Sequence, residues 1–295
     1  MSGAVHVGLD LGGTNAKCAV LSPDGAILAE ARAPNDADRG ENAVLARLVS
    51  LAKAAAAPHG PIATAGLGLP GHFDPADGRG TLLPNLPGEW VGRPIARPVS
   101  AGLGVPVRLV NDARAMTLAE LRLGAGRGVR DLVCVTLGTG VGGGVTIGGR
   151  LHLGLGNAGE IGHTTVAPDG PPCGCGNRGC LDRVAGADAI ARDAGTGTAA
   201  EAIAAARRGE ARAADALAAA GRRVGLALAG AVVLLWPQRI VVGGGVAAAG
   251  ELLLGPLREE LRARACVAPE VDVLPAALGA GAGAIGAALW GAEPV

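Results

Sequence analysis

The sequence predicts an α/β protein built as two similar lobes with a cleft between them. Three observations lead there. Apolar strand-like runs alternate with helical patterns along the 295 residues. A strand, a glycine-rich turn and a second strand occur near the start of each half. One histidine and three cysteines fall within eighteen residues, in the order H-x9-C-x-C-x4-C, a spacing suited to a metal-held loop.

Residues 4–11 read as a buried strand that opens into Asp10, Gly12, Gly13 and Thr14, and a second strand follows at 16–21. Ser22, Pro23, Asp24 and Gly25 form a turn, so 16–21 and 27–33 are hairpin partners. Residues 42–56 read as a helix with Val44, Leu45, Leu48, Leu51 and Ala52 on one face. Strand 63–69 ends in Pro70 and Gly71, and a Pro/Gly-rich stretch runs on to Trp90. Strand 107–110 ends in Asn111 and Asp112, and helix 113–123 follows.

The pattern then restarts, which places the seam between lobes at 110–114. The expected division is 1–112 and 113–280, with a small-residue helix in 281–295 packing back on the first lobe. Strand 132–137 opens into Gly138, Thr139, Gly140 and three more glycines at 142–144, with 145–147 as its hairpin partner. The cysteine segment 163–180 comes next. Helical patterns follow at 181–191, 198–207, 211–236 and 251–265. Strand 239–242 ends in Gly243, Gly244 and Gly245, and 271–274 is a last strand.

Composition sets outer bounds. Hydrophobic residues make up 49% of the chain, enough for a sizeable core. The formal net charge of +0 argues against a nucleic-acid or anionic-membrane partner. The N-terminus has no basic leader and enters a strand pattern at once. The longest uncharged apolar stretch, 224–236, is shorter than the roughly 20 residues a bilayer requires and reads as a buried helix. Metal-binding thiols fit a reducing compartment, so a cytoplasmic protein is expected.

His163, Cys173, Cys175 and Cys180 form a Cys3His set, which Zn²⁺ accepts as four tetrahedral ligands. Disulfides are the alternative. Cys173 and Cys175 are too close in sequence to pair easily, and three thiols leave one over. With all four positions filled by protein the zinc is structural. It fixes a loop, and with it Glu160, three residues before the histidine.

Three glycine-rich turns follow strands, at 12–13, 138–144 and 243–245. Glycines let the backbone approach a phosphate and point N–H groups at it. Such turns are common, so each alone is weak; three in one chain are a stronger sign. Gly138, Gly140 and Gly143 formally match the dinucleotide fingerprint, but that motif must open a helix. Val145, Thr146 and Ile147 are β-branched or strand-forming and exclude it. No Gly-Lys-Ser/Thr occurs, which excludes a Walker A loop.

Ala158, Gly159, Glu160, Ile161, Gly162 and His163, followed by Cys173, Cys175, Gly176, Gly179 and Cys180, resemble the ROK family of sugar kinases and sugar-responsive repressors. The likeness runs nearly end to end. It implies the actin/hexokinase/Hsp70 superfamily: a two-lobed, actin-like ATPase (ribonuclease H-like) fold whose hairpin turns grip the phosphates of ATP. By resemblance, Asp10 holds Mg²⁺ through water, and Gly12, Gly13 and Thr14 form the first phosphate loop. Gly138, Thr139 and Gly140 form the second, with Thr139 donating a hydroxyl, and Gly243, Gly244 and Gly245 lie against the adenosine. The plain alternative for Asp10 is a carboxylate capping its own turn.

Phosphoryl transfer needs positioning, charge neutralisation and a base near the attacking hydroxyl. Asp112 ends a strand at the expected seam, where it can serve as that base or as an ordinary helix N-cap. The resemblance implies the base. It also implies sugar contacts from Asn85, Asn111, Asp112, Glu160, His163 and Asp182. Asn85 is otherwise a turn residue. His163 would have one ring nitrogen on zinc and the other toward a sugar hydroxyl. Two departures stand out: Asp182 where family kinases carry Glu, and Gly71-His72 where many members read Gly-Pro.

The implied activity is transfer of the γ-phosphate of MgATP to a hexose hydroxyl, glucose O6 first. Fructose, mannose or an N-acetylhexosamine are the alternatives within the class. A sugar-sensing regulator is the alternative outside it. Repressors of the family place a DNA-binding domain before the first glycine motif, and Asp10 leaves no room for one. A homo-oligomer, dimer or tetramer, is expected.

Overall fold

The computed structural model describes residues 3–74, 77–83, 86–267 and 270–294. The first strands are β1 (Val5–Leu11), β2 (Asn15–Leu21) and β3 (Ile27–Pro34), followed by helix α1 (Glu41–Ala56) and β4 (Ile62–Leu69). A small hairpin, β5 (His72–Phe73) and β6 (Gly80–Leu82), precedes α2 (Ala96–Leu103), β7 (Val107–Asn111) and α3 (Asp112–Leu123). Next come β8 (Leu132–Leu137), β9 (Val141–Ile147) and β10 (Arg150–Leu151), then helices α4 (Leu181–Ala185), α5 (Ala187–Ala194), α6 (Ala199–Arg207) and α7 (Ala211–Leu235). The chain finishes with β11 (Arg239–Gly243), α8 (Glu251–Arg264), β12 (Asp272–Pro275) and α9 (Ala282–Ala292).

Met1–Arg122 with Ala280–Val295 forms one compact unit, and Leu123–Gly279 the other. The division falls after Arg122 and not in 110–114 as the sequence suggested. The reason is packing: Ala115 of α3 shares a buried cluster with Val110 of β7 and Ala287 of α9, so the helix stays with the strand before it.

In the first unit the sheet runs β3-β2-β1-β4-β7. β2 is antiparallel to both β1 and β3, while β1, β4 and β7 are parallel. Side chains alternate across a strand. Val5, Val7, Leu9 and Leu11 of β1 are buried with Leu48 of α1, with Ile95 just before α2 and with Val99 of α2. The intervening Gly8 and Gly66 meet α9 instead: a Cβ on Gly8 would fall on the Ala284 carbonyl, and one on Gly66 on the Ala287 carbonyl. Helix α9 is made of small residues because it lies directly on sheet backbone.

In the second unit the sheet runs β10-β9-β8-β11-β12. Again two antiparallel pairs are followed by two parallel ones. The duplication read from the sequence is therefore a repeated strand topology.

The structure corrects three local readings. β9 starts at Val141 rather than 145, and Gly142, Gly143 and Gly144 pair with Thr136, Val135 and Cys134. Those glycines are there for packing, since a Cβ on Gly143 would lie 2.8 Å from the Gly159 carbonyl. The helix expected at 181–191 is two helices, broken at Gly186, whose backbone is extended. Helix α2 was hidden in the Pro/Gly-rich stretch; Pro98 sits in its first turn, where the missing N–H costs nothing.

Helix α7 is long and apolar enough to cross a membrane by length and composition. Its face at Ala213, Leu217, Ala220, Val224, Leu228 and Val232 is buried in the core of the second unit. Gly221 and Gly225 bring it close to the Leu253 and Leu257 carbonyls of α8. It is packed as a core helix.

If α9 depends on these close approaches, Gly66→Val must push it off the sheet. The expected cost is at least the roughly 1–3 kcal/mol of core overpacking, because the obstacle is backbone. Denaturant unfolding of purified variant and wild type measures it; equal stability would show that α9 has room to move.

Candidate active site

In the first unit, Asp10 is 8% exposed, and its carboxylate Oδ2 lies 3.0 Å from Lys17 Nζ. The two residues are cross-strand partners on β1 and β2. A Cβ on Gly283, in the first turn of α9, would sit 2.8 Å from Asp10 Cγ, so the carboxylate lies at a helix N-terminus. A negative charge is favoured there.

Asp10 does not hold the turn beyond it. Asn35 does, and no local sequence signal marked it. Asn35 is 4% exposed. Its Nδ2 donates to Gly12 O at 2.7 Å and its backbone N–H to Thr14 O at 3.1 Å. Its Oδ1 accepts from Ala37 N at 3.1 Å. Gly13 and Thr14 are left exposed. None of Gly12, Gly13, Gly138 and Gly140 has a positive φ, so access to the backbone, not handedness, accounts for these glycines.

Asn111 closes β7, and its Oδ1 accepts from Ala113 N at 3.0 Å and Arg114 N at 3.3 Å. That is a helix N-cap. Its Nδ2 donates to Gly71 O at 3.2 Å. Gly71 itself has φ +87, and a Cβ there would strike the Leu82 carbonyl, so glycine is required. Asp112 is half-buried in the first turn of α3, with Oδ1 accepting from Ala113 N at 2.8 Å. The cap that was the alternative role for Asp112 is filled by Asn111 at Arg114 N, while the Ala113 amide is shared by the two side chains. Asp10, Gly71 and Asp112 lie at the carboxyl ends of the parallel strands β1, β4 and β7, where α/β sheets bind ligands. Asn85 lies outside the described residues; its neighbours Leu83 and Leu86 are buried.

In the second unit, Gly138, Thr139 and Gly140 form the turn between β8 and β9, and Thr139 is exposed. Gly244 has φ +85, and a Cβ on it would strike Leu137 at the end of β8. The 243–245 run therefore abuts the 138–140 turn at one end of the sheet. Segment 159–163 lies along β9: a Cβ on Gly159 would sit 3.0 Å from Gly144 Cα, and one on Gly162 would strike the Val141 carbonyl. These glycines hold Glu160, which is half-buried, and the exposed His163 against the strand. Asp182, at the start of α4, reaches the same turn: its Oδ1 accepts from Val141 N at 2.8 Å.

The four candidate metal ligands come together. One ligand atom from each of His163, Cys173, Cys175 and Cys180 lies within 4.8 Å of the others. Cys175 and Cys180 Sγ are 3.6 Å apart, and Cys173 Sγ is 3.7 Å from His163 Nδ1. A tetrahedron with Zn–S near 2.3 Å has edges of about 3.8 Å, so the set fits zinc. Nδ1 faces the thiols, which leaves Nε2 for another partner. Backbone bonds brace the loop, with Val166 N donating to Gly179 O at 3.0 Å and Leu181 N to Thr164 O at 2.9 Å. Burial, reinforced by the neighbouring thiols, pushes Cys180 up to about 12. The Asn177 backbone N–H, then Cys173, pull Cys175 down. Zinc held here must displace the Cys180 proton, so its affinity falls as pH falls.

The chain is similar to known proteins over nearly its whole length. The ROK family profile matches residues 6–293. The glucokinase of Streptomyces coelicolor is 34% identical over 98% of both chains. The crystal structure of a ROK hexokinase from Thermus thermophilus matches with a TM-score of 0.87 and 38% identity, covering 97% of both chains. A ROK family glucokinase from Streptomyces griseus, in complex with glucose and AMPPNP, matches with a TM-score of 0.84 and 32% identity, covering 98% of this chain and 99% of that one.

Protein purified without chelator should carry about one zinc per chain by elemental analysis, as a four-ligand structural site requires. Cys180→Ser should lose the metal and melt earlier, and wild type should release zinc more readily as pH is lowered. Metal-free wild-type protein, or a Cys180→Ser variant that keeps its zinc, would refute the assignment.

Proposed function

The chain belongs to the ROK family, and on that premise we propose that it is an ATP-dependent kinase transferring the γ-phosphate of MgATP to a hexose hydroxyl, with glucose O6 the first acceptor. The observation that carries the mechanism is the division of labour at the start of α3. Asn111 caps the helix through Arg114 N, so Asp112 is not needed for that task. The half-buried Asp112 carboxylate, at the ends of parallel strands, can then serve as the base. Similarity to the two glucokinases supports glucose as the sugar.

In this reading Asp112 takes the proton from the attacking hydroxyl as the oxygen bonds to the γ-phosphorus and the bond to the β-phosphate oxygen breaks. The amides of the 12–14 and 138–140 turns receive phosphate oxygens, with the Thr139 hydroxyl beside them. Asp10 would hold Mg²⁺ through water, and the ion would neutralise phosphate charge as it develops. In the free protein Lys17 offsets the Asp10 charge at 3.0 Å. The 243–245 run would lie against the adenosine. Asn85, Asn111, Glu160 and His163 Nε2 would bind sugar hydroxyls. Another hexose remains the second reading, because Gly71-His72 stands where the resemblance implies Gly-Pro. The reduced thiols of the metal loop support a cytoplasmic location, and a dimer or tetramer is the assembly we propose.

Asp112→Asn should lower kcat by about 10²–10⁴-fold, the usual contribution of a general base, with glucose affinity and melting temperature nearly unchanged. Preserved turnover with a lower melting temperature would identify a structural residue instead. Asp10→Ala should reduce turnover and raise the Mg²⁺ concentration needed for half-maximal rate, with glucose binding intact. Wild-type rates in that variant would confine Asp10 to its ion pair.

A further inference from the structure

We propose that Asp182 is a positioning residue for the 138–140 turn and governs nucleotide affinity, and is not a ligand for the sugar; this rests on reading that turn as a phosphate loop. Its Oδ1 accepts the Val141 N–H at 2.8 Å. Gly140 is shaped to this contact, because a Cβ there would fall on the same oxygen. The rest of the turn is held by the residues that follow this short helix, Gly186 at the break and Ala187 at the start of α5. Ala187 N donates to Gly138 O at 2.9 Å, and a Cβ on Gly186 would meet Asp182 O at 2.7 Å and Thr139 O at 3.0 Å. Residues 182–187 therefore bracket Gly138, Thr139, Gly140 and Val141 one after another.

The support behind Asp182 is rigid. Leu181 is fully buried, and its N–H is tied to Thr164 O at 2.9 Å. The Val141 amide donates to a charged acceptor, and a hydrogen bond to a charged group is stronger than a neutral one. With Val141 N–H engaged from the far side, the turn keeps one conformation, and its remaining amides are set before the nucleotide arrives. The first unit solves the same problem with Asn35, which grips Gly12 O at 2.7 Å from outside the hairpin. Each copy of the duplicated hairpin is thus pinned at its turn by one polar side chain.

Three variants test this: Asp182→Ala removes the acceptor, Asp182→Asn keeps an acceptor without the charge, and Gly140→Ala pushes the carboxylate away. Calorimetry with AMPPNP and, separately, with glucose gives the two affinities, and steady-state kinetics gives both KM values and kcat. Loss of a charged hydrogen bond predicts AMPPNP binding weaker by about ten- to a hundred-fold in Asp182→Ala, and weaker also in Gly140→Ala. Glucose affinity should stay within about twofold, and Asp182→Asn should recover most of the loss, as an acceptor at the same place should. Glucose affinity falling while AMPPNP binding holds would overturn the inference and return Asp182 to the sugar. A parallel fall in both affinities with early melting would overturn it too, as would unchanged AMPPNP binding in Gly140→Ala. Wild type that binds AMPPNP but phosphorylates no hexose would sink the kinase reading and leave this inference standing; wild type that binds no AMPPNP would sink both.

Discussion

The structure depends on backbone approaching backbone at distances that only glycine allows. With aromatic residues at 1% of the chain, the core cannot be filled by large rings. It is filled by Ala, Val and Leu, and by elements laid directly on one another. Helix α9 rests on β1 and β4 through Gly8 and Gly66, and its own Gly286 meets the Ala115 carbonyl of α3. In the other unit, β9 receives segment 159–162 on Gly143 and Gly144. Close approach fixes orientation as well as distance, because a helix without side chains at the contact cannot slide without meeting carbonyls. That is how Asp10 is held at the first turn of α9, and Glu160 and His163 along β9.

The same constraint explains the two hairpin turns. A glycine turn is cheap to bring near a ligand and costly to keep in one conformation, since glycine loses the most backbone freedom on ordering. A polar side chain from a separate element offsets that cost by fixing one group of the turn in advance. Asn35 takes a carbonyl, while Asp182 takes an amide. The repeated strand order places the turns equivalently in the two units. The clamps arise differently: Asn35 follows the third strand of its sheet, whereas Asp182 begins a helix anchored by the cysteine loop.

Much of this was legible in the sequence, and what was not has local physical reasons. Strands β1, β2 and β8 announced themselves as apolar runs ending in glycine, and the Cys3His set by its spacing. Helix α2 stayed hidden because eight residues give barely two turns of periodicity, and one of them is proline. The start of β9 was lost because glycine carries no strand propensity, yet Gly142, Gly143 and Gly144 are paired and packed. Asn35 was invisible for a different reason. Its bond to Gly12 spans 23 residues, and nothing near position 35 indicates a partner that distant. Asp182 showed as a polar residue of interest, but its partner Val141 could be known only from the fold.

The pair Asn111–Asp112 shows why a site can be tuned without unsettling the frame around it. A helix that starts at a functional carboxylate faces two demands, since its first amides need an acceptor and the chemistry needs the same oxygens. Here the proposed division is by one residue, with the Ala113 amide shared between Asn111 and Asp112 and the Arg114 amide taken by Asn111. Asn111 satisfies the amides of Ala113 and Arg114 and, through Nδ2, ties β7 to Gly71. A neutral amide side chain suits that role, because its cap does not change with pH. The charged residue comes one position later, in the first turn of α3. The asparagine thus fixes the helix that carries this carboxylate. Exchanging the two residues would leave the composition the same and give the cap a titratable group, so helix integrity and proton uptake would become linked. On the proposed mechanism, the order Asn then Asp leaves the Arg114 amide to a capping group that does not titrate.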